Sequence, residues 1–210
     1  MIIQCDFDGT IIRNNLSVVL REKFARGNWQ KIDADYLDGH LTVEESNRLQ
    51  FTLIKEPKEK LQEVIRQHIE VKPGFIEFVN YCRERDIPFV IVSSGLDFYI
   101  ETVLAQIGML DLELYSGRTS FGKDGIAVTY RDPEGNLINK GFKETYLAWL
   151  RKRDNYIIYM GDGLSDLTAA RRADHVFATS YLLKVLNTEP VACSAFSDFI
   201  DLQQQMRRLL

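Results

Sequence analysis

The chain has 210 residues, 45% of them hydrophobic and 27% charged, with a formal net charge of −4. That composition suits a globular protein large enough for one core domain and a subdomain, and it offers no net attraction to nucleic acid or to an anionic membrane surface. No apolar stretch approaches the roughly 18 residues of a membrane span, and no basic region or cleavage site accompanies the N-terminal apolar run, so neither a membrane segment nor a signal peptide is expected.

The first predicted strand, around Met1-Ile2-Ile3, runs straight into Cys5-Asp6-Phe7-Asp8-Gly9-Thr10. Successive strand residues point to opposite faces, so Asp6 and Asp8 leave on the same side, and Gly9 lets the chain turn away without covering them. Carboxylates this close repel and raise one pKa unless a hard, oxygen-binding cation such as Mg2+ sits between them. After this strand comes a stretch without strand character. Leu16, Val19, Leu20 and Phe24 recur at helical spacing, Thr42-Val43-Glu44-Glu45 forms a capping box, and Pro57 opens a helix with Leu61, Val64, Ile65 and Ile69 on one face.

From Pro73 strands and helices alternate. A helix carries Phe75, Phe78, Val79 and Cys82, a buried strand spans Phe89 to Val92, a helix ends near Gly108, and a strand lies around Leu112 to Tyr115. Residues 117–139 read as a small β excursion, with Ile126 to Tyr130 and Leu137-Ile138 joined by a turn at residues 132–136. A helix over 142–153, a strand over 156–160, a helix over 164–173, a short strand over 175–178 and a helix over 197–209 complete the pattern. It predicts an α/β protein: a Rossmann-like parallel sheet flanked by helices (residues 1–14 and 72–210), with a small all-helical subdomain (15–71) inserted after the first strand. The cysteines Cys5, Cys82 and Cys193 show no metal-ligand spacing and read as reduced thiols in a cytoplasmic setting.

In such a sheet, ligands gather beyond the carboxyl ends of the strands. The first strand delivers Asp6 and Asp8 there. The strand ending at Val92 continues into Ser93-Ser94-Gly95, a hydroxyl followed by backbone amides at a helix start, where a phosphate oxygen can be held. The strand ending at Met160 runs into Gly161-Asp162-Gly163-Leu164-Ser165-Asp166; four-residue spacing lets Asp166 face back toward the same point as Asp162.

Taken together, these strand ends resemble the phosphatases of the haloacid dehalogenase superfamily over almost the whole chain. Asp6-Phe7-Asp8-Gly9-Thr10 looks like motif one, Ser93 like motif two, a lysine near residue 140 like motif three, and Gly161-Asp162 through Asp166 like motif four. The resemblance implies that Asp6 is a nucleophile forming an aspartyl-phosphate, and that Asp8 protonates the leaving alcohol and then activates water. It implies a Mg2+ cofactor held by Asp6, the backbone carbonyl of Asp8 and Asp162, with Asp166 in support. Ser93 and the lysine would neutralise the phosphoryl oxygens, and Ser94, Gly95 and Gly163 would line the phosphate site.

Two lysines compete for motif three. In the family this lysine opens the helix before the motif-four strand; counting from Lys143 buries Tyr146, Leu147 and Leu150, whereas counting from Lys140 buries Lys143, Glu144 and Leu147. The apolar register favours Lys143, although Lys140-Gly141 resembles the Lys-Gly of phosphoserine phosphatases.

The helical insert matches the superfamily's cap at that point, the type that closes over small phosphorylated metabolites. Within that group the chain looks most similar to phosphoserine phosphatases and to the 2-hydroxy-3-keto-5-methylthiopentenyl-1-phosphate phosphatases of methionine salvage, the latter through Ser93-Ser94-Gly95-Leu96-Asp97-Phe98. Phosphoserine phosphatases carry a glutamate seven residues after the second motif-one aspartate; here that position is Asn15, which cannot supply charge to an ammonium. Arg13, Asn14, Asn15 and Arg48 are candidates for reading the leaving group, and Trp29 for covering the site. Two rivals to a hydrolase share this residue set. One is a phosphotransferase or phosphomutase using the same aspartyl-phosphate. The other is a phospho-accepting regulator of the receiver type, which would lack the insert and carry its aspartate on a middle strand.

Overall fold

A computed structural model describes residues 1–209 of the chain. Its centre is an eight-stranded sheet, whose strands are β1 (Ile2–Cys5), β2 (Phe89–Leu96), β3 (Glu113–Gly122), β4 (Gly125–Arg131), β5 (Leu137–Ile138), β6 (Ile157–Gly161), β7 (His175–Ala178) and β8 (Cys193–Ala195). They lie in the order β5-β4-β3-β2-β1-β6-β7-β8. β1 pairs in parallel with both β2 and β6, whereas β4 and β5 extend the β3 edge as antiparallel strands. A parallel sheet with helices on both faces is buried on both faces, which is why β1 and β6 are almost entirely apolar. Gln4 is the exception in β1. It is fully buried, and its Nε2 donates to the Lys143 carbonyl at 3.0 Å, joining the central strand to the helix behind it.

Four helices stand between β1 and the rest of the sheet: α1 (Leu16–Phe24), α2 (Trp29–Leu37), α3 (Val43–Phe51) and α4 (Lys58–Gln67). Asn15 caps α1, Asn28 caps α2, and the capping box at Thr42 and Glu45 closes α3. Where the chain enters and leaves this helical layer the two segments run side by side, with Arg13 N donating to Glu70 O at 2.8 Å and Lys72 N to Ile11 O at 2.9 Å.

The remaining helices are α5 (Phe75–Arg83), α6 (Asp97–Gln106), α7 (Phe142–Leu150), α8 (Leu167–Ala170), α9 (Ser180–Leu186) and α10 (Phe199–Leu209), with a 3-10 turn at Leu164–Asp166 ahead of α8. The last helix is tied to the core by aromatic packing: Phe199 lies edge-on to Phe75 at 5.1 Å between ring centroids, and Phe75 to Phe89 at 5.9 Å.

The elements differ from the expected ones at identifiable places. β2 does not stop at Val92 but runs through Ser93-Ser94-Gly95 to Leu96, with a register shift against β3 between Val92 and Leu96. The motif-two residues therefore sit on an irregular strand end, and α6 begins only at Asp97. β3 is longer than the predicted strand, because its second half pairs with β4 as a hairpin. α2, α9 and β8 were unmarked by periodicity, being short or, in α2, without a single buried residue.

Candidate active site

Asp6 follows β1 directly, its amide donating to Met160 O at 2.9 Å, so the ends of β1 and β6 are locked side by side. Gly9 then turns the chain with φ +75°, where a side chain would collide with the Asp162 carboxylate. The chain reversal that exposes the first aspartates is thus the same one that lets Asp162 approach them.

Lys143, on the first turn of α7, lies 2% exposed between two carboxylates: its Nζ is 2.8 Å from Asp6 Oδ1 and 2.5 Å from Asp166 Oδ1. Burial alone would pull its pKa down, but Asp166 and Asp6 outweigh that and hold it above its ordinary value. Lys140 is exposed and forms no ion pair among the described residues. Asp166 is itself pinned by the Tyr159 hydroxyl at 2.6 Å and by the amides of Asp162 and Gly163 at 3.1 and 2.9 Å.

One carboxylate oxygen from each of Asp6, Asp162 and Asp166 lies within 4.8 Å of the others. Burial first, then the neighbouring carboxylates, push Asp6 up to about 7 against the pull of Lys143, and Asp162 up to about 8. An all-oxygen donor set with more acid than Lys143 can balance fits a hard divalent cation. The Asp8 carboxylate points elsewhere. Its Oδ1 accepts from Leu16 N at 2.9 Å and its Oδ2 from the Tyr99 hydroxyl at 2.7 Å, while burial raises its pKa against both bonds. Gly95 makes room for that contact, since a Cβ there would meet the Tyr99 hydroxyl and Asp8 Oδ2.

Ser93 and Ser94 are buried beside this cluster. The Ser93 Oγ accepts from Gly95 N at 3.0 Å, and the enclosed Ser94 Oγ has no partner among the described residues. Ser94, Gly95 and Gly163 line the cavity, while the Gly95 N–H donates to Ser93 Oγ and the Gly163 N–H to Asp166 Oδ2. These two backbone donors are satisfied inside the loops that shape the site.

A cavity of about 280 Å3 opens onto Asp6, Asp8, Ser93, Ser94, Lys143 and Asp162 and is roofed by residues of α1, α2 and α3. A larger hollow of about 670 Å3 beside it shares Lys143 and Ser94 but contains neither Asp6 nor Asp8, so the smaller one is the candidate site. Of the residues considered for the leaving group, Asn15 reaches the cavity, although its Oδ1 already accepts from Val18 N and the Ser17 hydroxyl as the α1 cap. Arg13 and Asn14 do not line it, and Asn14 donates to His68 O. Arg48 turns to the β5 region, donating to Ile138 O at 2.5 Å and Asn139 Oδ1 at 2.7 Å. Trp29 lies off the cavity, under the Arg21 guanidinium at 5.3 Å.

Several lining residues escaped sequence reasoning. Arg21, Asp33, Tyr36 and Asn47 all face the cavity from the insert, and Tyr99 faces it from α6. One signal was present for Arg21, which follows Ser17 by one turn on the buried side of α1. Nothing local marks the others.

Glu44 ties the insert to the helix that carries Lys143. Only 2% exposed on α3, it accepts from Phe142 N at 2.9 Å and so caps α7, whose own N-cap residue, Gly141, has no side chain to do it. Burial raises its pKa, and the α7 amide opposes that rise. Replacing it by alanine leaves a buried amide without an acceptor at a helix start. Glu44→Ala is expected to lower stability by about 1–3 kcal/mol in denaturant unfolding, while Glu44→Gln, which keeps an acceptor oxygen, loses less. Equal stability of all three proteins contradicts the capping role.

Residues 3–171 match the family described as haloacid dehalogenase-like hydrolase. The chain is 31% identical to a 2-hydroxy-3-keto-5-methylthiopentenyl-1-phosphate phosphatase of Bacillus pumilus, over 99% of this chain and 91% of that protein. It is 29% identical to one of Geobacillus thermodenitrificans, over 100% and 96%. Among solved structures it superposes on a substrate-bound phosphoserine phosphatase with a TM-score of 0.73 at 21% identity, covering 97% of each chain.

Proposed function

The chain belongs to the haloacid dehalogenase-like hydrolases and is a phosphatase, and we propose that it hydrolyses a small phosphomonoester through an aspartyl-phosphate on Asp6. The observation that carries this reading is the placement of Lys143 between the Asp6 and Asp166 carboxylates, 2.8 and 2.5 Å away, on the wall of a cavity that Asp8 and Ser93 also line. One Asp6 oxygen is held by the lysine, which orients the other toward a phosphorus atom in the cavity. As that oxygen attacks, the ester P–O bond breaks and Asp8 gives its proton to the departing alkoxide. The raised pKa of Asp8 suits a group that must carry that proton. In the second half, Asp8 takes a proton from water as the water attacks phosphorus, and the bond to Asp6 breaks. Throughout, the Lys143 ammonium and the Ser93 and Ser94 hydroxyls neutralise oxygens that gain charge.

Asp6, Asp162 and the backbone carbonyl of Asp8 would hold Mg2+, with Asp166 fixing the loop that presents Asp162. Bound there, the ion would supply positive charge against the phosphoryl oxygens. Residues 15–71 act in this reading as a cap that closes over the substrate. The free thiols of Cys5, Cys82 and Cys193 support a reducing, cytoplasmic setting, and no described helix is long and apolar enough to cross a membrane.

For the leaving group, a hydroxylated or keto alcohol is favoured over serine. Of the acids that could replace a glutamate at position 15, Asp97 accepts from Thr119 and Phe98, Glu45 from Thr42 and Glu44 from Phe142, while Asp33, which does face the cavity, is engaged by Gln50 and Arg21. The relatives named for a hydroxy-keto phosphate support the same choice. The test is phosphate release from a panel of phosphorylated metabolites with and without Mg2+. Hydroxy- and keto-phosphomonoesters are expected to exceed phosphoserine in kcat/KM by about 10-fold or more, and chelation should abolish turnover. Phosphoserine as the best substrate would overturn the specificity; turnover unaffected by chelation would overturn the metal assignment.

A further inference from the structure

The phosphoryl chemistry leaves two charged residues of the cavity unused, Arg21 and Asp33. Arg21 lies on α1 at 5% exposure and lines the same 280 Å3 space as Asp6 and Asp8. Its guanidinium is steadied from three directions. One terminal nitrogen donates to Gln50 Oε1, the other stands 3.9 Å from Asp33 Oδ1, and the Trp29 ring lies beneath at 5.3 Å. Gln50 is fully buried and its Nε2 donates back to Asp33 at 3.3 Å, so the arginine is held by a network belonging to the insert itself. Yet the enclosed Nε–H has no partner among the described residues. A buried arginine donor without an acceptor is unfavourable unless something supplies one, and Arg21 sits at the part of the cavity roofed by the insert.

Resting on the phosphatase reading above, we propose that Arg21 is a specificity residue that donates to a carbonyl or hydroxyl oxygen of the leaving group, beyond the ester oxygen. Asp33 at its flank offsets much of the guanidinium charge, so the receptor matches a neutral oxygen better than a carboxylate. Val18, Leu37 and Val43 line the same space and leave room for an apolar continuation of that group.

The test compares two probes on the full chain with Mg2+: dihydroxyacetone phosphate, whose leaving group carries a ketone and a hydroxyl, and phenyl phosphate, whose leaving group has no second oxygen. Arg21→Met is expected to lower kcat/KM for dihydroxyacetone phosphate by about 10- to 100-fold, the loss expected for a charged hydrogen bond, with phenyl phosphate changed by less than about 3-fold. Asp33→Asn, at a partly exposed site where the amide oxygen can still accept from Gln50, removes the charge beside the arginine. It should raise kcat/KM for 3-phosphoglycerate, whose leaving group bears a carboxylate, several-fold relative to phenyl phosphate, and this variant decides the matter if Arg21→Met fails to fold. Parallel losses on both probes in Arg21→Met would reduce Arg21 to a structural residue, and unchanged ratios in both variants would overturn the proposal. An unsubstituted protein that releases phosphate from none of the probes would instead overturn the phosphatase reading beneath it.

Discussion

Asp6→Asn should turn over substrate at least about 10^4-fold more slowly than the unsubstituted protein, the scale of loss for a central catalytic group. The substitution keeps the shape of the side chain, which is 5% exposed, and leaves the backbone bond from its amide to Met160 intact. It removes the negative oxygen that would attack phosphorus and the charge that Lys143 faces at 2.8 Å. The fold should survive, because Asp166 still pairs with the lysine at 2.5 Å. Loss of activity with an unchanged unfolding curve is therefore the expected pair of results. Asp8→Asn should behave differently in kind, impairing both formation and breakdown of the phosphoenzyme, since in the proposed mechanism the same carboxyl gives and takes the proton. An Asp6→Asn protein that keeps even a tenth of normal turnover would end the assignment of Asp6 as nucleophile.

Lys143→Ala and Lys140→Ala should separate sharply. Helix register alone suggests that Lys143 holds phosphoryl charge and that its loss costs activity with little cost to stability. The structure changes the second half of that expectation. Lys143 is fully enclosed and is the cation between Asp6 and Asp166, so its removal strands two buried carboxylates. Breaking such a pair by deleting one partner costs about 3–5 kcal/mol. Because the folded-state pKa of Lys143 is raised, its stabilising charge is complete at neutral pH and is lost only when strongly alkaline conditions deprotonate it. Lys143→Ala should thus lose both turnover and stability, whereas the exposed Lys140 should give changes within about 0.5 kcal/mol and near-normal activity. Chemical denaturation together with phosphate release measures both; equal damage in the two variants, or the reverse order, would return the role to Lys140.

What the chain order of residues determined on its own was local. The paired aspartates behind an apolar run, the capping box at Thr42 and Glu45, the helix start at Pro57 and the helix end near Gly108 each depend on a few neighbouring residues. All are present where the sequence put them. The alternation of apolar runs with helical periodicity likewise implied a parallel sheet whose strand ends gather their polar residues at one edge, and β1, β2 and β6 are adjacent in that sheet. The helix register pointed to Lys143 because an amphipathic helix records its buried face in its own spacing.

Tertiary structure decided everything that joins distant segments. Ser93 to Gly95 belong to a strand because β3 pairs alongside it across a register shift, a contact no local pattern encodes. Tyr99 reaches Asp8 across 91 residues, Glu44 caps a helix 98 residues away, and Arg21 meets Gln50 only because α1 and α3 pack together. Arg48, which reads in sequence as a candidate substrate contact, finds its partners in the β5 region, and Asn15 lines the cavity while its Oδ1 caps α1. A polar side chain looks alike in sequence whether it binds substrate, caps a helix or crosses to another layer. The choice is made by which buried donor or acceptor the fold brings within about 3 Å of it, where leaving either group unpaired is what costs free energy.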